Sequence, residues 1–286
     1  MSLITLFDPW KSNLCTCPEK YSLSPYTGCS HNCLYCYASS YIVNFKAPRE
    51  KKNYKERLHR ELKKIPPGST ITLSNSSDPY LHLEKEKKLT RFTLKTLAEH
   101  DLKILIVTKS NLILRDMDLL KNLKKVVVCI TITTLDDTLA KTLEPNAPSA
   151  GLRLKTIKEL SSFLPVACRF DPLIYPLNTR GIKEVIKEIK ASGAKQIITS
   201  TYKTKPDNFK RMIKAFPEHK KVWQEFYLTH GEKKGRYTYL PYHLRHTILE
   251  EVKTHSQALG ISCSTCREDM PEFQSTVCDG SALFNG

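Results

Sequence analysis

The sequence predicts an α/β fold: a partial (βα)6 TIM-like barrel with a Cys-containing C-terminal extension. Three observations predict it. Between residues 70 and 202 short β-branched apolar runs alternate with longer amphipathic stretches, the rhythm of βα units around a parallel sheet. The residues at or just after the ends of those runs, Cys29, Asp78, Lys109, Thr133 and Asp171, are polar and chemically specific, and strand C-termini are where parallel βα architectures place their working groups. After Tyr202 the alternation stops.

The first unit pairs a candidate strand at 21–26 with a helix at 54–65. Strands follow at 70–73, 102–108, 126–134, 166–174 and 196–201, each rich in the β-branched residues that suit a pleated surface. Helices are expected at 89–99, 116–123, 150–163 and 182–190, where apolar residues recur at three- and four-residue spacing. The domain reading is therefore a segment at 1–20, a barrel at 21–202 and an extension at 203–286 that carries a second metal site. Within the extension 203–234 is Lys-rich with scattered aromatics, 242–259 reads as one more helix, and the tail from Gly260 holds three cysteines.

The chain has 286 residues, with 45 Lys plus Arg against 29 Asp plus Glu, a net charge of +16. A hydrophobic fraction of 40% is ample for a core and excludes disorder as the main state. No stretch reaches the roughly 18 to 20 uninterrupted apolar residues of a membrane span, and the first ten residues lack the basic and apolar regions of a signal peptide. No membrane partner and a cytoplasmic location are expected. Ten cysteines then point to metal ligands or redox chemistry rather than disulfides. The basic surplus fits RNA or DNA, since neutralising phosphates releases counterions. It fits equally a set of solvated Lys-rich helix faces at 51–64 and 183–195.

Cys29, Cys33 and Cys36 stand at intervals of four and three residues on one predicted loop. Three thiolates so bunched can hold three irons of a [4Fe-4S] cubane and leave the fourth iron open. A zinc site would need His31 as a fourth ligand and would depart from the usual pair of separated ligand pairs. The motif, with Tyr35 before its last cysteine, resembles the signature of the radical S-adenosylmethionine (radical SAM) enzymes. Ser77-Asp78-Pro79-Tyr80, Glu84, Leu89-Thr90-Arg91, Thr108-Lys109-Ser110, Arg115-Asp116, Glu144-Pro145, Arg153 and Pro172 extend the likeness to the spore photoproduct lyase-like branch over about residues 23–201.

The resemblance implies a barrel of the radical SAM type, a [4Fe-4S] cluster and S-adenosylmethionine as cofactors, and a reducing electron donor as partner. It implies reductive cleavage of S-adenosylmethionine to a 5′-deoxyadenosyl radical that abstracts hydrogen from a substrate, here expected to be a nucleic acid. It further implies that Tyr35 faces the adenine, that Tyr37 lies near the cofactor, and that Lys109 pairs with the methionine carboxylate. Ser77 and Asp78 would contact the amino or sugar groups, Thr131 or Thr133 the ribose, and Arg153 a charge nearby. Read without the family, the threonines are ordinary strand formers, Asp78-Pro79 a turn and Glu144-Pro145 a helix stop. Two functions outside this reading stay open: a metal-stabilised nucleic-acid-binding protein without catalysis, and a radical SAM enzyme modifying a protein or small molecule.

One position departs from the family's repair enzyme. Asn75 stands where that enzyme has the cysteine that returns hydrogen to the product radical, and an amide has no weak S–H bond to give. Cys129 and Cys168, on expected strands, are the alternative hydrogen sources, and both also read as plain buried cysteines. In the tail, Cys263, Cys266 and Cys278 suggest a second iron–sulfur cluster or a zinc ion, with Cys15 and Cys17 as further contributors. Tyr227, His230, Arg236, Tyr237, Tyr239, Tyr242, His243, Arg245 and His246 interleave rings and cations as a base-stacking surface would, or as a packed helix would.

Overall fold

The computed structural model describes residues 2–7 and 12–285; residues 1, 8–11 and 286 lie outside it. Its strands are, in chain order, β1 (Ile4–Leu6), β2 (Tyr21–Leu23), β3 (Tyr26–Thr27), β4 (Arg49–Glu50), β5 (Thr70–Leu73), β6 (Lys103–Thr108), β7 (Val126–Thr131), β8 (Val166–Leu173), β9 (Gln196–Thr201), β10 (Glu232–Lys234), β11 (Tyr237–Tyr239) and β12 (Ser262–Thr265). The helices are α1 (Tyr54–Leu62), α2 (Glu84–Lys87), α3 (Leu89–Leu97), α4 (Met117–Leu120), α5 (Asp137–Leu143), α6 (Ala150–Ser161), α7 (Ile182–Ala191), α8 (Pro206–Ala215), α9 (Lys220–Trp223) and α10 (Tyr242–Ala258).

One sheet takes eight of these strands in the order β1-β2-β5-β6-β7-β8-β9-β12. From β2 to β12 every pairing is parallel, and β1 runs antiparallel on β2. Among the described residues the two ends of the sheet do not pair, so the barrel is partial, as the count of units predicts. The expected six strands are all present, and a seventh parallel strand, β12, joins them from the C-terminal extension. Its four residues were hidden inside a stretch whose cysteines read as metal ligands. With α10 packed on α7 and β12 paired to β9, the extension completes the sheet rather than lying over it.

Alternation sorts the strand residues onto two faces. Ile104, Ile106, Val128, Ile130, Val166, Cys168, Phe170 and Ile197 are buried in the main core together with Ile157, Leu160, Ile186 and Ile189 from α6 and α7. Cys129, Ala167 and Ile198 face the lumen in a smaller cluster with Val107, Cys266 and Leu283. The C-terminal tail thus fills the lumen. At Gly280, with φ of +90°, an added Cβ would lie 3.5–3.6 Å from Ala167, Val127 and Leu105, side chains of three neighbouring strands. Outside, the Lys-rich face of α7 is solvated: Lys183 and Lys187 alternate with Glu184 and Glu188 and are exposed.

A buried ionic knot fastens the extension to the end of β9. Glu268 accepts from Thr201 N at 2.8 Å and Lys203 Nζ at 2.7 Å, and it lies 3.1 Å from Arg245 Nη1 on α10. Removing one member of a fully buried ion pair leaves the others without a counter-charge and costs about 3–5 kcal/mol. Glu268→Ala is expected to lower the stability measured by equilibrium urea denaturation by that amount; a change below about 1 kcal/mol, the worth of an exposed pair, would contradict the assignment.

Candidate active site

The three cysteines of the first motif occupy the loop that follows β3, at the C-terminal side of the first parallel strand. The loop's shape is set locally by Gly28, whose φ is +88° and whose added Cβ would stand 2.5 Å from the Phe45 carbonyl oxygen, so no other residue fits. Cys29 N donates to that same carbonyl at 2.7 Å, and Leu34 N donates to Leu143 O at 2.9 Å. From the extension, Arg211 on α8 donates to the carbonyls of Leu34 at 3.0 Å and Cys36 at 2.7 Å, and Asn208 donates to Tyr35 O at 3.0 Å. Helix α8 was not foreseen, yet it clamps the motif's backbone.

The three thiols line one cleft with Asn32, Ser39, Phe45, Lys46 and Arg211. Burial pushes the Cys29 thiol up to about 12 and raises Cys33 and Cys36, while the Lys109 charge pulls the latter two back. These are soft donors held close together, with cations at hand to offset the charge they carry as thiolates. The set fits three corners of a cubane [4Fe-4S] cluster.

Two buried carboxylates organise the surroundings. Asp78, just beyond β5, accepts from Tyr80 N at 2.8 Å, Thr108 Oγ1 at 2.6 Å and Lys109 N at 2.7 Å, and it lies 3.1 Å from His31 Nε2 of the cysteine loop. Burial alone would push its carboxyl up, but the His31 ring and the Thr108 and Lys109 donors hold it at about 2. Glu144, at the end of α5, accepts from Tyr35 Oη and from Thr133 Oγ1 at 2.8 Å, and pairs with Arg153 Nη2 at 2.5 Å. Against the upward push of burial, Arg153 and Lys109 keep Glu144 ionised, again at about 2.

The arrangement divides the expected cofactor-contacting residues into two sets. Arg153 has its donors on Glu144, Pro148 O and Thr131 O, and Asp78 has both oxygens occupied, so these two position other groups. Thr133 gives its hydroxyl to Glu144, and Ser77 Oγ lies 3.4 Å from Tyr26 O. Lys109 is different. Its ammonium stands 3.8 Å from Glu144 and 5.8 Å from the Tyr35 ring centre, and among the described residues it makes no hydrogen bond. Burial works against its charge, but Glu144 and Cys33 outweigh burial and raise its pKa. Sequence reading counts Glu144-Pro145 in the family resemblance and, without the family, reads it as a helix stop, but gives Glu144 no role in the site.

At the mouth Tyr37 stacks on Tyr41 with centroids 6.3 Å apart and meets Tyr237 edge-on at 5.7 Å. Lys205 Nζ lies 5.4 Å from the Tyr41 ring and 4.7 Å from Tyr237, and Arg267 lies 5.8 Å from Tyr237. The expected interleaved surface at 227–246 divides: Tyr227, Tyr239 and Arg245 are buried, the last holding Glu268 and Glu232, His230, Arg236, Tyr242 and His243 are exposed, and Tyr237 joins this rim. Asn75 donates to Ser22 Oγ at 2.7 Å inside the barrel. Cys129 is sealed with Leu283 in the lumen and Cys168 lies in the helix-facing core.

The tail cysteines do not act as the three-ligand group that their spacing suggests. Cys263 and Cys266 lie three residues apart along an extended strand and so point to opposite faces. Cys263 packs in the main core, whereas Cys266 faces the lumen. Cys278 is brought instead to Cys17, with sulfurs 3.6 Å apart.

The sequence matches the family model described as the radical SAM superfamily over residues 23–189. It is 36% identical to an uncharacterised protein of Methanocaldococcus jannaschii over 143 residues, 49% of this chain and 55% of the other. It is 26% identical over 200 residues to an uncharacterised protein of Acidianus two-tailed virus, covering 63% of this chain and 66% of the relative. The matched part therefore spans between about half and two thirds of these relatives' length. Among solved structures, a spore photoproduct lyase double mutant with bound AdoMet and dinucleoside spore photoproduct superposes with a TM-score of 0.67 at 16% identity, covering 90% of this chain and 80% of the other. SuiB of Streptococcus suis bound to S-adenosylmethionine gives 0.55 at 17% identity, covering 85% and 49%.

The Glu144 network makes a pH-dependent prediction. Glu144→Gln keeps the side chain's shape but leaves Arg153 and Lys109 without their counter-charge, and is expected to destabilise the apoprotein at pH 7 by about 3–5 kcal/mol. A depressed carboxyl pKa contributes stability that is complete above its ordinary value, near 4.5, and is lost as pH falls through about 2. The gap between wild type and variant, followed by urea denaturation, is therefore expected to narrow between those two pH values; a constant gap would contradict the assignment.

Proposed function

The chain belongs to the radical SAM superfamily, and from that premise we propose that it is an enzyme which cleaves S-adenosylmethionine reductively and abstracts hydrogen from a single-stranded nucleic acid. Bound to Cys29, Cys33 and Cys36, a [4Fe-4S] cluster with S-adenosylmethionine supplies hydrogen abstraction by a 5′-deoxyadenosyl radical. The protein's part is to bind, orient and shield. Arg211 and Asn208 hold the loop backbone so that the three thiols share one cleft. Lys109, a half-buried cation with open donors, suits the carboxylate of the methionine moiety, where partial exclusion of water strengthens a charge-assisted bond. The Tyr35 ring lies beside it.

The observation that carries the substrate class is the rim. Tyr37 and Tyr41 are 41% and 48% exposed, far above what rings of this size need for packing, and Lys205 and Arg267 flank the same aromatic group. Rings beside cations stack on bases while the cations meet phosphates, a mode tolerant of sequence. The spore photoproduct lyase structures, which include complexes with a dinucleoside photoproduct, agree with this class without fixing the reaction. With an amide at Asn75, the reaction we infer is not one in which a thiol at that position re-donates hydrogen.

The test is 5′-deoxyadenosine formation by the anaerobically reconstituted, reduced protein, with and without single-stranded DNA or RNA. We expect formation that is abolished in Cys29→Ala/Cys33→Ala/Cys36→Ala, and oligonucleotide binding that weakens steeply as salt rises. Cleavage surviving in the triple variant would overturn the chemistry; salt-insensitive or absent oligonucleotide binding would overturn the substrate class.

A further inference from the structure

The seven cysteines outside the first motif fall into two kinds. Cys129 and Cys168 are buried among apolar side chains, and Cys263 lies in the core against the Ser256 hydroxyl. Cys15, Cys17, Cys278 and Cys266 form a chain of neighbours. The Cys17 and Cys278 sulfurs are 3.6 Å apart, Cys15 acts on the Cys17 thiol, and Cys278 on that of Cys266. They come from three places in the chain: the segment before β2, the residue just past β12, and the tail that fills the lumen.

Bringing them together closes loops of about 250 residues, which an unstructured chain does not do by chance. The segments that carry Cys15, Cys17 and Cys278 have neither helix nor strand around these cysteines. Yet Cys278 is only 1% exposed and its neighbour Asp279 pairs with buried Lys20. Positive charge surrounds the four: Arg169 acts on Cys266 and Cys278, Lys203 on Cys266 and Lys20 on Cys17. Four neighbouring thiols with cations around them supply the donors and the charge balance that a thiolate-bound metal requires, since four thiolates on a divalent ion leave a charge of about −2 to be offset. A disulfide would satisfy only one pair.

We propose that Cys15, Cys17, Cys266 and Cys278 are the four ligands of a second metal centre, a tetrathiolate that fastens both ends of the chain to the sheet. The metal is thiophilic, and zinc and an iron–sulfur cluster share this donor set. A tetrahedral site with metal–sulfur bonds of about 2.3 Å sets its sulfurs about 3.8 Å apart, close to the 3.6 Å between Cys17 and Cys278. As they stand the four form a chain of contacts, and among the described residues no three such ligands converge on one ion position. Cys15 and Cys17, on a stretch free of regular structure, have the latitude to close it.

Removal of the first site isolates the second. In full-length Cys29→Ala/Cys33→Ala/Cys36→Ala, reconstituted anaerobically with iron, sulfide and zinc, we expect either one zinc or about four irons per chain. That metal is expected to disappear when Cys17→Ser/Cys278→Ser is added and to persist with Cys263→Ser. Zinc by elemental analysis, or a visible iron–sulfur absorption, separates the two sources. Should the serines unfold the tail, alkylation of the folded triple variant with and without a strong chelator gives a second measurement. Cys15, Cys17, Cys266 and Cys278, located by peptide mass spectrometry, are expected to be protected until metal is removed. No metal in the triple variant, metal lost on Cys263→Ser, chelator-independent alkylation, or a Cys17–Cys278 disulfide in anaerobic protein would each overturn the proposal. None of these outcomes depends on S-adenosylmethionine cleavage.

Discussion

The buried carboxylate of Glu144 is the interaction on which the site depends. It stands where residues following β6 and β7 meet the cysteine loop, and it accepts from Tyr35 and Thr133 while neutralising Arg153. Without it two cations would lie under a loop meant to carry thiolates, and Tyr35 would lose the partner that fixes its ring. With it, Arg153 becomes internal structure, bound to the Pro148 and Thr131 carbonyls as well. Lys109 alone keeps open donors. A second carboxylate, Asp78, does the same for the other flank by tying His31 of the loop to the end of β6.

How far this was legible in the sequence depends on whether a feature was local. The strands at 70–73 and 196–201 form as read because β-branched runs bury on both faces of a parallel sheet. The strand at 126–134 ends early, at Thr131; beyond it Asn178 takes the Thr133 carbonyl from outside the sheet. The cysteine motif was legible because its ligands are close in sequence. Strand β12 and helix α8 were not, because a four-residue strand beside cysteines and a Lys-rich helix carry weak periodic signals. The family resemblance singles out Lys109, but that Glu144 takes up the Arg153 donors and leaves the Lys109 ammonium at 3.8 Å is a tertiary fact. The same holds for the tail cysteines: of the expected group, Cys278 lies by Cys266 while Cys263 turns to the main core.

The extension is part of the machinery rather than an addition to it. Arg211 and Asn208 grip the cysteine loop, Glu268 and Arg245 anchor α10, and the tail fills the lumen beneath the mouth. The aromatic and basic rim lies beside the cysteine loop, where Tyr37 meets Tyr41 and Tyr237. The net charge of +16 thus divides into two parts, solvated lysines on the outer helices and a smaller set at the mouth.

The most direct test of this division of labour is S-adenosylmethionine binding to the reconstituted Lys109→Met protein. The substitution keeps the length and packing of the side chain and removes only the charge. A charge-assisted bond contributes roughly 1.5–3 kcal/mol, so the account predicts a Kd raised about 10- to 150-fold with iron content unchanged. An unaltered Kd at full iron occupancy would contradict it, and would mean that the cation left open by Glu144 is not the one that receives the cofactor.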